Sequence, residues 1–117
     1  MFLYRDDTRK MLEDWNIKSI LKDFDRNKKI YFSILEEAEK NGFNGLTLKH
    51  NGFDQWSVIT PDQDQLCRYT CFDNRGFFAH GSYDQYLEAF NEIFEMGYRT
   101  LCPPATLDLI ANNWPKK

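Results

Sequence analysis

No run of purely apolar residues in this chain exceeds the four of Met1 to Tyr4. A membrane-spanning helix needs about 20 such residues and a signal-peptide core about 7 to 15, so the expectation is a cytoplasmic protein with no membrane partner. Cysteine is scarce, and Cys67, Cys71 and Cys102 show no paired spacing; an odd, scattered set argues against a disulfide framework and for free thiols in a reducing compartment. Six glycines and four prolines never gather into a linker, and no repeat or low-complexity stretch interrupts the 117 residues. The chain therefore reads as a single domain, 1–117, of a size that buries a continuous core without staples.

Catalytic signatures are missing too. The chain has no Walker loop, G-x-G-x-x-G, G-x-S-x-G or H-E-x-x-H. Basic residues are scarce in most of the chain: residues 42–115 hold Lys49, Arg68, Arg75 and Arg99 against nine acidic side chains, whereas residues 1–41 hold nine of each sign. A nucleic-acid binder shows the reverse, a clustered basic surface that displaces counterions. The nearest approach to one, Lys18, Lys22, Arg26, Lys28 and Lys29, is interrupted by Asp23 and Asp25. Direct nucleic-acid binding is not expected.

What is present is a chain with 42% hydrophobic, 16% aromatic and 28% charged residues, a composition that folds. Asp6 or Asp7 can cap a first short helix with Met11, Leu12 and Trp15 on its apolar side; Asn16 can cap a second, where Ile17, Ile20, Leu21 and Phe24 recur at i, i+3, i+4, i+7. The pattern predicts a third helix over Asn27–Asn41, stopped by Gly42, although Lys28 and Lys29 near its start and Glu36, Glu37 and Glu39 near its end oppose the helix dipole. From Gly45 to Ala79 the period falls to two, and the turn residues Asn51-Gly52, Pro61-Asp62 and Asp73-Asn74-Arg75-Gly76 divide the segment into a four-stranded antiparallel meander. A long acidic amphipathic helix is expected from Ser82, with Gln85 completing a capping box, to Gly97. Tyr98 to Leu101 is a candidate edge strand, and a short C-terminal helix from Pro104 to Asn112 should tuck Leu107 and Ile110 onto the sheet, with Trp114 closing one end of the core. The expected fold class is α+β.

Reactive residue types concentrate in one place, TCFDNRGFFAHGSYDQ, residues 70–85. Its centre has the composition of a hairpin loop, which accounts for Asp73 and Gly76 without chemistry. A metal on Cys67, Cys71 and His80 fails on strand geometry: residues four apart lie about 13 Å from each other along a strand, while two thiolates on one zinc are at most about 4.6 Å apart. No metal and no cofactor is expected. Cys-His nucleophilic catalysis, with His50 or His80 serving a cysteine, has no supporting local motif. His50 continues the register of Leu46 and Leu48 and suits a buried, hydrogen-bonded imidazole.

The most informative pattern lies in the acidic helix. At 100° per residue Asp84, Glu88, Glu92 and Glu95 fall within about 80° of one another, opposite Tyr83, Tyr86, Leu87, Phe90, Ile93, Phe94 and Gly97. No basic residue lies between Ser82 and Gly97, where a surface shaped for stability alone would mix Glu with Lys. Four charges over about 16 Å is sparse beside duplex DNA, with one per 1.7 Å or so; Asp54, Asp62, Asp64 and Asp73 can thicken the field if they point the same way. Phe77 and Phe78 are adjacent on a strand, so one of them must face away from the helices, and an exposed ring beside an acidic rim has the anatomy of a binding hot spot.

The candidate partner-binding residues are therefore Asp84, Glu88, Glu92, Glu95, Asp73, Phe77 and Phe78. The expected function is non-catalytic: an acidic inhibitor that occupies a basic site on a nucleic-acid-handling protein. In size, charge and lack of catalytic motifs the chain is similar in kind to toxin immunity proteins and to phage-encoded anti-defence (anti-CRISPR-like) inhibitors, a likeness of general properties and not of matching residues. Two alternatives come from other classes: a small enzyme using His80 or His50 with Asp73 or a cysteine, and a structural subunit that pairs as a homodimer through the Phe77-Phe78 strand.

Overall fold

The computed structural model describes residues 2–15 and 18–115; the expected cap Asn16 and the apolar Ile17 lie outside them. The fold class is α+β, with four α-helices and one five-stranded antiparallel sheet among the described residues. The helices are α1 (Asp6–Asp14), α2 (Lys18–Asn41), α3 (Tyr86–Glu95) and α4 (Thr106–Ala111). The strands are β1 (Thr47–His50), β2 (Gln55–Pro61), β3 (Cys67–Asp73), β4 (Gly76–Tyr83) and β5 (Tyr98–Cys102), in the order β4-β3-β2-β1-β5.

Three expectations are corrected. The second and third predicted helices are one, α2, of 24 residues and about 36 Å. Asp25-Arg26-Asn27 contains neither Pro nor Gly, and the propensity cost of Asp and Asn is only tenths of a kcal/mol each. The Asp25 carboxylate is held by Arg9, whose Nε and Nη2 donate to its two oxygens at 2.8 and 2.9 Å. Lys28, placed against the helix dipole, is paired with Asp6 of α1 at 3.1 Å. These contacts tie α1 to α2, while Met11, Trp15 and Ile20 stay exposed.

The second correction concerns the acidic helix, which has ten residues and begins at Tyr86. Pairing of Arg68 with Ser82 and of Cys67 with Tyr83 carries β4 through the proposed cap; the Ser82 hydroxyl donates to Asp62 at 2.8 Å instead, and Gln85 makes no side-chain cap bond. The helix does end at Gly97, whose φ of +106° suits a residue without a side chain. Third, the sheet has five strands and not the four of the meander, because the candidate edge strand at Tyr98 to Leu101 forms as β5 and closes against β1, with Leu48 opposite Leu101 and Thr47 opposite Cys102.

The sheet has one face under α2 and α3 and another under the C-terminal segment. Leu46, Leu48, Ile59, Cys67 and Cys71 meet Tyr31, Ile34, Leu35 and Ala38 of α2 and Ala89, Phe90, Ile93 and Phe94 of α3 on the first. Tyr31 stacks on Phe90 at 5.0 Å between ring centres and meets Phe94 edge-on at 5.2 Å. On the second face Trp56, Val58 and Phe72 pack against Leu107, Ile110 and Trp114. The Trp114 indole nitrogen donates to the Asp73 carbonyl at 2.7 Å, which anchors the C-terminal segment to the β3–β4 turn.

Candidate interaction surface

Residues 70–85 form the β3–β4 hairpin and the entry to α3. Asp73 Oδ1 accepts from the backbone N–H groups of Arg75 (2.7 Å) and Gly76 (3.2 Å), and Gly76 takes a φ of +144°. This is the Asx-type turn that such residues favour. Asp73 is thus occupied in shaping the hairpin.

The thiols and imidazoles are kept apart. Cys67 and Cys71 are buried on the helix-covered face, donating to the Tyr83 carbonyl at 3.3 Å and the Ser57 hydroxyl at 3.6 Å. His80 is exposed and paired with Thr70 on β3, one step out of register from Cys71 and hence on the opposite face. Burial pushes the Cys67 thiol up, as do the nearby carboxylates of Glu88 and Asp84, and burial also raises Cys102; neither group has the lowered pKa of an activated nucleophile. Among the described residues no three His, Cys, Asp or Glu side chains converge on a metal-sized site.

His50 is half-buried, not fully enclosed as its register suggested. The Gly52 N–H donates to its Nδ1 at 2.9 Å, which leaves Nε2–H to donate to the Met96 carbonyl at 3.0 Å. A Cβ on Gly97 would lie 2.4 Å from that ring, so the imidazole and the glycine together fasten the end of α3 to β1. A cleft of about 490 Å³ between the end of α2 and β5 is lined by Glu37, Asn41, Leu46, Leu101, Cys102 and Pro103, among others, and by neither histidine nor Asp73.

The acidic stripe is placed as follows. Asp84 precedes α3, and Asp84, Glu88 and Glu95 are exposed while Glu92 is half-buried. Of the ion pairs among the described residues, none includes any of the four. Arg99 approaches the end of the same helix, but its Nε donates to the Phe94 carbonyl at 3.0 Å and its guanidinium lies 4.8 Å from the centre of the Phe94 ring. There it meets the negative end of the helix dipole.

The loop carboxylates do not thicken this field as a set. Asp54 pairs with Lys49 at 3.4 Å, Asp62 is bound by Arg68 and Ser82, and Asp73 is bound in its turn. Phe43, just past α2, stacks on Tyr86 at the start of α3 at 5.8 Å. The end of α2 therefore meets the beginning of α3; there Glu36 pairs with Lys40 at 3.6 Å, and Glu37 accepts from Asn41 Nδ2 at 2.7 Å and lines the cleft on the β5 side.

Phe77 and Phe78 remain 57% and 48% exposed. A β-bulge between Cys71 and Phe72 sets Phe72 opposite Phe77 and breaks the strict alternation expected of the pair. Phe77 packs edge-on against Trp114 at 4.9 Å and Phe72 at 6.2 Å, on the face away from α2 and α3. The candidate residues thus separate: Asp84, Glu88, Glu92 and Glu95 go with α3, Phe77 packs with the C-terminal segment on the opposite face, Asp73 shapes the β3–β4 turn, and Phe78 stands exposed on β4. No protein-family model matches the chain, and neither a curated protein nor a solved structure gives a match.

Proposed function

We propose that this protein is a non-catalytic binding module whose acidic helix face, formed by Asp84, Glu88, Glu92 and Glu95, occupies a basic site on a partner protein. The observation that carries this reading is the lack of ion pairs at the α3 stripe: eight ion pairs are formed elsewhere among the described residues, yet none reaches these four side chains. Unpaired charge of one sign raises association rates by 10-fold or more and selects the partner more than it sets affinity. A partner whose basic site normally holds nucleic acid is inhibited by such occupation.

The test is affinity capture from the native host at low salt, identification of the captured protein by mass spectrometry, and measurement of its association with the Glu88→Lys/Glu92→Lys variant. Association should slow at least 10-fold and the wild-type rate should fall steeply with salt. An unchanged rate in the charge-reversed protein rejects the reading.

A further inference from the structure

The two edges of the sheet are not alike. β5 is a five-residue edge strand with a register shift in its pairing to β1, it carries Arg99, and Pro103-Pro104 follow it. These are features that discourage another strand from pairing there. β4, the other edge, has eight residues, no Lys, Arg, Asp, Glu or Pro, and a regular register from Ala79 to Tyr83 opposite Cys71 to Cys67. Its bulge is confined to the hairpin end. The outer row of N–H and C=O groups along β4 is therefore open to pairing with an extended segment.

The acidic helix overhangs this open edge. Tyr31 of α2 donates to Asn91 Oδ1 at 2.6 Å, which sets Asn91 on the α2 side of α3. On a helical wheel Glu88 and Glu92 lie about 60° and 100° further round, turned away from α2 and toward β4. Tyr69 and Tyr83 stack at 6.2 Å beside them, and Tyr69 lies so close to Gly81 of β4 that a Cβ there would be 2.6 Å from the ring. Burial first, then the Glu92 carboxylate, holds the Tyr83 hydroxyl above its ordinary pKa, and Glu92 also acts on Tyr69. At the other end of β4, Phe77 and Phe78 stand exposed.

We propose that β4 accepts a sixth strand: an extended segment of a protein partner in which basic side chains, directed toward Glu88 and Glu92, alternate with apolar ones directed toward the Phe77 side of the sheet. The charge of the occupant follows from the unpaired carboxylates above the edge, and the alternation from the two-residue period of any strand laid there. A second copy of this chain is disfavoured as the occupant, because β4 itself brings no positive charge to those carboxylates. This inference rests on the basic-partner reading above and adds the backbone conformation of what is bound.

Three synthetic peptides separate the two. The first alternates Lys and Val over eight residues; the second has the same sequence with alternate backbone amides N-methylated on the pairing edge; the third has the same composition in a helical pattern. Binding is read by NMR titration and amide hydrogen exchange on the intact protein. The expected result is that the first binds at least 10-fold more tightly than the other two, slows exchange of outward-facing amides within 76–83, and is weakened at least 10-fold by Glu88→Lys/Glu92→Lys. Equal binding of all three without protection in 76–83 overturns strand addition and leaves the charge-based reading standing. No binding of any peptide at low salt overturns both. A concentration-dependent dimer in sedimentation that protects 76–83 in the absence of peptide assigns the edge to a second copy and also overturns the proposal.

Discussion

Under α2 and α3 the sheet is closed by fourteen buried side chains among the described residues, while the C-terminal segment covers the other face with a cluster whose buried members are Trp56, Val58 and Phe72. The first face draws rings from two helices and interlocks them, with Tyr31 meeting Tyr4, Phe32, Phe90 and Phe94. The second depends on one six-residue helix and on Trp114, and leaves Phe77 more than half exposed beside it. The difference teaches where stability and recognition are separated. A ring removed from the closed face leaves a cavity that dense surroundings cannot refill. The open face and the adjoining β4 edge keep apolar surface and backbone groups within reach of a partner.

The comparison can be broken first by its largest expected effect. Phe90 is fully buried and stacked on Tyr31, so Phe90→Ala should destabilise the protein by about 3–5 kcal/mol in urea denaturation. Trp114→Ala removes a half-buried ring and one hydrogen bond and should cost less, about 1–3 kcal/mol. If the tryptophan proves as costly as Phe90, the two faces are equal in weight and the contrast fails.

A smaller effect is expected at Asp62, in the loop between β2 and β3. The Ser82 hydroxyl, the Gln63 N–H and Arg68 hold its carboxyl below the usual carboxylate range. A group whose pKa is depressed in the folded state contributes stability above its unfolded value of about 4, and that contribution disappears as pH falls through the folded value. Asp62→Asn should therefore lower Tm at pH 7, by less than Trp114→Ala does, and the gap to wild type should narrow as pH falls below the unfolded value of about 4. A gap that is constant with pH removes the ionised carboxylate as its cause.

The smallest effect involves no loss of stability. Cys67 and Cys71 belong to the closed face and Cys102 to the margin of the open one. In the native protein a thiol reagent should modify only Cys102, and slowly, because burial pushes its thiol up. Cys67 and Cys71 should react only on unfolding. Rapid modification of all three would show that the helices do not seal their side of the sheet.

Much of this organisation was legible in residues that act locally. The turn Asp73-Asn74-Arg75-Gly76 was readable because the Asp side chain bonds backbone only two and three residues on, and the end of α3 because Gly97 adopts a positive φ within its own turn. Ser82 is ambiguous in the sequence because two local preferences compete there: a helix cap and a strand residue. Pairing with Arg68, fourteen positions earlier, decided between them. The union of two predicted helices into α2 needs no long-range cause, since Asp25-Arg26-Asn27 holds neither Pro nor Gly, but the docking of α1 on it depends on Arg9 reaching Asp25 across sixteen positions. The carboxylates of the candidate surface were readable as a stripe, but their proximity to the β4 edge was not, since it depends on which way Tyr31 turns α3 through Asn91, sixty positions away.

By itself the sequence determined that the chain mixes helices with antiparallel strands, where most turns lie, and that one helix carries carboxylates without bases, because each follows from periodicity and the conformational preferences of neighbouring residues. Only the tertiary structure decided that β5 completes the sheet on β1, that the Phe77 ring and the acidic stripe lie on opposite faces, and that β4 is left as an open edge beneath Glu88 and Glu92. Those outcomes depend on contacts between residues tens of positions apart, where packing of the whole chain outweighs local preferences worth only tenths of a kcal/mol.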